Sequence, residues 1–112
     1  YEGYHDFIYI HDFCRGIEML TQDNIAPGEI YNFGSGVQVS NKEVLQLFEK
    51  ITKKTAPVTE VFEIKKAFES KLWLCDTSKS KQLGFECSYS LEEGIIYFLT
   101  KAHYERTSTN NK

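Results

Sequence analysis

Apolar positions recur along the chain in two rhythms. From Tyr4 to Ile10 they alternate: His5, Phe7 and Tyr9 fall on one side of an extended segment, and Asp6, Ile8 and Ile10 on the other. Aromatic and β-branched residues dominate there, as a strand prefers. The rhythm then turns helical in Phe13, Cys14, Ile17 and Leu20, with Asp12 placed to cap the first turn. After a polar turn around Pro27, Glu29 to Phe33 reads as a short strand that Gly34-Ser35-Gly36 closes.

The second half repeats this grammar. Ser40-Asn41-Lys42-Glu43 is a capping box, the serine hydroxyl serving the third amide while the glutamate reaches back. It opens a helix with Val44, Leu47, Phe48 and Ile51 on one face, ended by Lys53-Lys54-Thr55-Ala56-Pro57 because the residue before proline avoids the helical region. Val58 to Ile64 alternates as a strand, Lys65 to Lys71 is a charged loop, and Leu72 to Cys75 is a short apolar strand. Asp76 is expected to cap a brief helix that Gly84 terminates. Ser90 to Glu93 is a second capping box, leading a final helix with Leu91, Ile95, Phe98, Leu99 and Ala102 inward. From Arg106 the polar residues read as a frayed tail, so the expected organisation is one domain over 1–105 and a disordered tail over 106–112.

Composition narrows the classes. A chain of 112 residues can build only a modest core. Its net charge of -3 is small and dispersed, leaving no basic field for nucleic acid or an anionic membrane. No apolar run approaches the roughly 20 residues that span a bilayer. Cys14, Cys75 and Cys87 fit no C-x-x-C spacing, which predicts reduced thiols in a cytoplasmic protein, with Cys14 and Cys75 packing as small hydrophobes. The chain starts at Tyr1, already beside its first strand, and is expected to be a piece of a longer protein.

Candidate chemistry is sparse. Gly34-Ser35-Gly36 could cradle a phosphate, but it lacks the third glycine of a dinucleotide fingerprint and no helix opens on it, so a plain turn is expected. His5 and His11 share a face, yet six extended residues separate them by about 20 Å, too far for one metal ion. Tyr97 and Lys101 have the Y-x-x-x-K spacing that lets a lysine tune a tyrosine acid/base. With no fingerprint to bring a nicotinamide beside them, they read as an exposed pair one helical turn apart. No catalytic and no metal-ligating residue is expected.

Three blocks carry a family resemblance. His5-Asp6-Phe7-Ile8-Tyr9-Ile10-His11-Asp12 resembles an R-D-F-x-Y-V-x-D signature, and Gly28-Glu29-Ile30-Tyr31-Asn32-Phe33-Gly34-Ser35-Gly36 resembles G-E-x-Y-N-x-G-S-G. Asp76 to Phe85 and Ser90 to Ile95 resemble D-x-S-K-x-x-x-L-G-F and S-L-E-E-G-I. These blocks belong to the extended short-chain dehydrogenase/reductases, the NAD-dependent nucleotide-sugar epimerases and dehydratases. The resemblance covers roughly residues 3 to 100 and implies a fold: a small mixed α/β substrate-binding subdomain, the C-terminal portion of such an enzyme without its Rossmann half.

The resemblance also implies a function. The missing N-terminal Rossmann domain would hold NAD or NADP and the catalytic tyrosine and lysine, so no cofactor is expected on this chain. The parent would be a homodimer. The portion seen here would grip a nucleotide-diphosphate sugar. His5 stands where the family has a phosphate-binding arginine, and Phe7 where it places an aromatic beside the nucleotide. Counting back from Asp76, Lys66 falls at a second pyrophosphate-binding arginine and Glu69 at an acid near the ribose, while Ala67-Phe68 replaces the family's Pro-Gly. Histidine is a weaker phosphate donor than an always-charged arginine. The alternative is a non-catalytic ligand-binding or interaction module derived from the same fold.

Overall fold

The computed structural model describes residues 3–57 and 72–109, with the side chains of 104–109 left aside. The order of elements is strand β1 (Tyr4–Asp6), helix α1 (Ile10–Met19), strand β2 (Gln38–Ser40), then helices α2 (Asn41–Thr52), α3 (Ser78–Gln82) and α4 (Leu91–Thr109). The mixed α/β architecture agrees with the expected class. The two strands pair antiparallel, Tyr4 opposite Ser40 and Asp6 opposite Gln38. The Asn41 amide, donating to the Gly3 carbonyl at 2.8 Å, extends the contact into the start of α2.

Helix boundaries follow the local chemistry. Both capping boxes form: Ser40 Oγ accepts from the Glu43 amide while Glu43 accepts from the Ser40 amide, and Ser90 and Glu93 repeat the exchange at the head of α4. Gly84 ends α3 at φ +88°, with its amide donating to Lys81 and the Phe85 amide to Ser80. That pair of bonds is a Schellman closure, and it delivers Phe85, 2% exposed, into the core. Lys50 of α2 and Glu92 of α4 pair at 2.8 Å. The Val44, Leu47, Phe48 and Ile51 face of α2 is half-buried, as the spacing predicts.

Several expectations are corrected. β1 stops at Asp6, and α1 begins at Ile10 with Tyr9 at its N-cap, so Asp12 lies inside the first turn rather than capping it. The reason is Asp12's own bonding, described below, which ties it to a distant segment. Residues 29–33 and 72–75 form no strand among the described residues, whose single sheet holds β1 and β2. At α3 the N-cap is Thr77, while Asp76, one residue earlier, accepts from the Ser78 amide at 3.0 Å. Phe98 faces solvent rather than the core, and α4 continues past Arg106 to Thr109. The strand expected over 58–64 lies outside the described residues.

The core is thin: among the described residues, Phe85 and Ile95 are the buried large hydrophobics. Phe33 packs edge-on to Phe85 at 4.8 Å, and its ring lies where a Cβ on Gly16 would fall, 2.8–3.0 Å away. Helix α1 therefore turns Asp12 and Gly16 inward and leaves Phe13, Cys14 and Ile17 exposed, reversing the packing its apolar spacing suggests.

Candidate functional site

Two aspartates of the first block fasten the chain together. Asp6 accepts from the amides of Ser35 (2.8 Å), Gly36 (2.9 Å) and Cys75 (3.1 Å) and from the Ser35 hydroxyl. Asp12, 1% exposed, accepts from the amides of Ser88 (2.9 Å) and Tyr89 (3.0 Å) and from Arg15 Nη2 (3.0 Å). Arg15 also donates to the Glu86 carbonyl and stands over the Phe85 ring at 5.1 Å. Burial raises the Asp12 pKa, but the bonds from Ser88, Arg15 and Tyr89 outweigh it and hold the carboxyl below its ordinary value.

The second and third blocks meet as well. Lys79 Nζ donates to the Ile30 carbonyl at 2.8 Å, pairs with Glu29 and sits over the Tyr31 ring at 4.5 Å. The segments that carry the resemblance thus contact one another directly. The Gly34-Ser35-Gly36 loop is not a strand end, and its Ser35 and Gly36 amides serve Asp6, the role a phosphate would have in a cradle. Cys75 and Cys87 flank this loop, and burial pushes both thiols up, Asp6 adding to the effect at each.

Of the expected ligand-binding residues, His5 and Phe7 come together. Their rings are 5.8 Å apart, edge to face, with His5 half-buried and Phe7 36% exposed. Lys66 and Glu69 lie outside the described residues. Sequence reasoning missed Trp73, whose ring lies 6.1 Å from His5 and is 53% exposed. Its being the sole tryptophan, just ahead of the Asp76 block, was the available signal. The Trp73 amide donates to Gln38 Oε1 at 3.2 Å, which holds residues 72–75 against β2. Phe7, His5 and Trp73 form a row of rings at the surface, able to stack on a planar or apolar ligand group.

Elsewhere, Tyr97 is exposed, as expected, but its ring meets Tyr89 edge-on at 5.4 Å, and Tyr89 in turn lies 4.8 Å from Tyr9. A cleft of about 230 Å³ runs between Gly34, Ser35, Thr77, Lys81, Phe85, Glu86 and Cys87; it includes neither His5 nor Phe7. Among the described residues no cluster of three His, Cys, Asp or Glu side chains could hold a metal ion, and no helix is long and apolar enough to cross a membrane.

Comparison with known proteins finds distant relatives. The low-salt glycan biosynthesis protein Agl12 of Haloferax volcanii is 32% identical over 92 residues, 80% of this chain and 28% of that protein. The dTDP-glucose 4,6-dehydratase of Streptomyces griseus is 26% identical over 102 residues, 91% of this chain and 31% of the enzyme. The UDP-glucose 4-epimerase 1 of Oryza sativa subsp. japonica is 30% identical over 97 residues, 81% and 27% respectively. No family model matches the chain. The chain spans under a third of the length of these relatives. Its small mixed α/β fold, a two-stranded sheet with four helices, is consistent with part of a short-chain dehydrogenase/reductase-like protein, and its relatives include a nucleotide-sugar dehydratase and a nucleotide-sugar epimerase.

Proposed function

We propose that this chain is the nucleotide-sugar-binding part of a longer NAD(P)-dependent epimerase or dehydratase, holding the substrate while catalysis takes place elsewhere in the parent. The observation that carries the reading is that relatives matched over most of this chain are named for dTDP-glucose and UDP-glucose chemistry. The exposed row of Phe7, His5 and Trp73 supports it, because a nucleotide sugar offers flat and apolar faces to such rings. His5 and Lys66 supply donors for the pyrophosphate, and Glu69 accepts from the ribose. A nicotinamide dinucleotide belongs to the rest of the parent: the glycine loop that could have cradled its pyrophosphate already bonds Asp6. The parent pairs with its own Rossmann domain and forms a homodimer.

A second reading, a non-catalytic ligand-binding or interaction module, is favoured by His5 in the arginine's place and Ala67-Phe68 in place of Pro-Gly. Calorimetric titration of the parent with UDP-glucose and dTDP-glucose separates the two. Under the first reading, Lys66→Ala weakens binding by roughly ten- to a hundredfold, since a charge-assisted bond is worth about 1.5–3 kcal/mol. His5→Arg tightens it, because a permanent bidentate donor replaces a weaker one. If neither nucleotide sugar binds the wild type, the second reading stands instead.

A further inference from the structure

We infer that Cys75 and Cys87 are a peroxide-oxidisable pair, Cys87 taking the oxidant and Cys75 closing a disulfide onto it. Both thiols abut one residue, Gly34. Cys75 Sγ lies 2.9 Å from where a Cβ on Gly34 would fall, and Cys87 Sγ donates to the Gly34 carbonyl at 3.5 Å. The backbone around each is fastened. The Cys75 amide donates to Asp6 at 3.1 Å, while Arg15 holds the Glu86 carbonyl and Asp12 the Ser88 amide, one residue to either side of Cys87. The two sulfurs are therefore kept at the same place, at the two ends of the segment that carries α3. Burial pushes both thiols up, and Cys75 is itself among the charges that raise Cys87.

Access separates the two. Cys87 lines the cleft of about 230 Å³ between the glycine loop and α3, and Cys75 does not. Such a cleft admits hydrogen peroxide, a molecule little larger than water. The Cys87 sulfur attacks one peroxide oxygen, the O–O bond breaks, and Cys87 becomes a sulfenic acid as one water leaves. The Cys75 sulfur then attacks the Cys87 sulfur, the S–O bond breaks, and the hydroxyl leaves with the Cys75 proton as a second water. The two thiols lose two electrons and two protons, and the peroxide is reduced to two waters. Cys87 gives up only a weak S–H bond to the Gly34 carbonyl in exchange. The bond ties together the two ends of the α3 segment. None of this draws on the sugar site, so it can fail without the nucleotide-sugar reading failing.

The experiment treats the full-length protein with hydrogen peroxide, blocks the remaining thiols with N-ethylmaleimide and maps the cysteines by peptide mass spectrometry. The expected result is a peptide linking Cys75 to Cys87 that dithiothreitol removes, with Cys14, exposed on α1, outside the link. Cys75→Ser should leave Cys87 as a sulfenic acid that dimedone captures. Cys87→Ser should slow oxidation of Cys75 by more than about tenfold, because the thiol in the cleft is the one that meets the oxidant. The inference is overturned if the wild type yields no Cys75–Cys87 peptide. It is overturned equally if Cys75 is oxidised as fast without Cys87 as with it.

Discussion

Asp6, at the end of β1, and Asp12, in the first turn of α1, act on the protein's own backbone. Each gathers amides from segments far along the chain: Asp6 from 35, 36 and 75, Asp12 from 88 and 89. A carboxylate suits this work because it accepts several bonds at once and donates none when ionised. Replacing Asp12 by Ala orphans the Ser88 and Tyr89 amides and takes one of its acceptors from Arg15, at a cost of roughly 2–3 kcal/mol, visible as a lower urea midpoint. Because the folded Asp12 pKa lies below that of the unfolded chain, its contribution is full above the ordinary aspartate value of about 4 and is lost as pH falls through the folded value. Thermal melts from pH 7 downward should therefore show wild type and Asp12→Asn converging in acid; a gap that stays constant would contradict this.

The same close fit makes Gly34 irreplaceable. A Cβ there would collide with Cys75 Cβ and lie 2.9 Å from Asp6 Oδ2, so Gly34→Ala should destabilise by about 1–3 kcal/mol, measurable by denaturant unfolding. A neutral effect would mean that Gly34 is not held against Cys75 and Asp6.

At the scale of elements, what was legible in the sequence was what is decided locally. Ser40 with Glu43, Ser90 with Glu93, and Gly84 each place a helix end through bonds spanning a few residues, and each is where the sequence puts it. Strands depend on partners far away, so Glu29 to Phe33 and Leu72 to Cys75 read as strands without becoming ones. The orientation of α1 was illegible for a related reason: apolar spacing gives a face but not its neighbour, and Asp12 and Gly16 chose the opposite one. Of the proposed surface, His5 and Phe7 were read from their place in a motif, and Trp73 escaped because its nearness to His5 depends on β2.

One cap departs from preference. Lys53 closes α2 in the left-handed region at φ 55°, a conformation that costs a side-chain-bearing residue about 1–2 kcal/mol. Lys53→Gly relieves that strain, and the melting temperature should rise by a few degrees. An unchanged or lower value would show that the Lys53 side chain offsets the strain through contacts of its own.

The whole molecule is more open than its length requires. Its radius of gyration is 17.4 Å, against about 13 Å for a compact chain of this size. Ile10, Phe13 and Ile17 remain outside a core that holds Phe85 and Ile95, although burying such side chains is worth roughly 1.5–3 kcal/mol each. Hydrogen-bonded aspartates thus hold the described residues around a thin core, with apolar side chains turned outward.

Under the proposed function, the surface around His5, Phe7 and Trp73 receives a nucleoside-diphosphate sugar. Trp73 is the sole tryptophan of the 112 residues and lies 6.1 Å from the His5 ring, so its fluorescence reports on that surface directly. Titrating this chain with UDP-glucose and dTDP-glucose should give a saturable change in Trp73 emission that free glucose does not produce. An emission that stays flat with both nucleotide sugars, or that responds equally to glucose, would contradict this binding role.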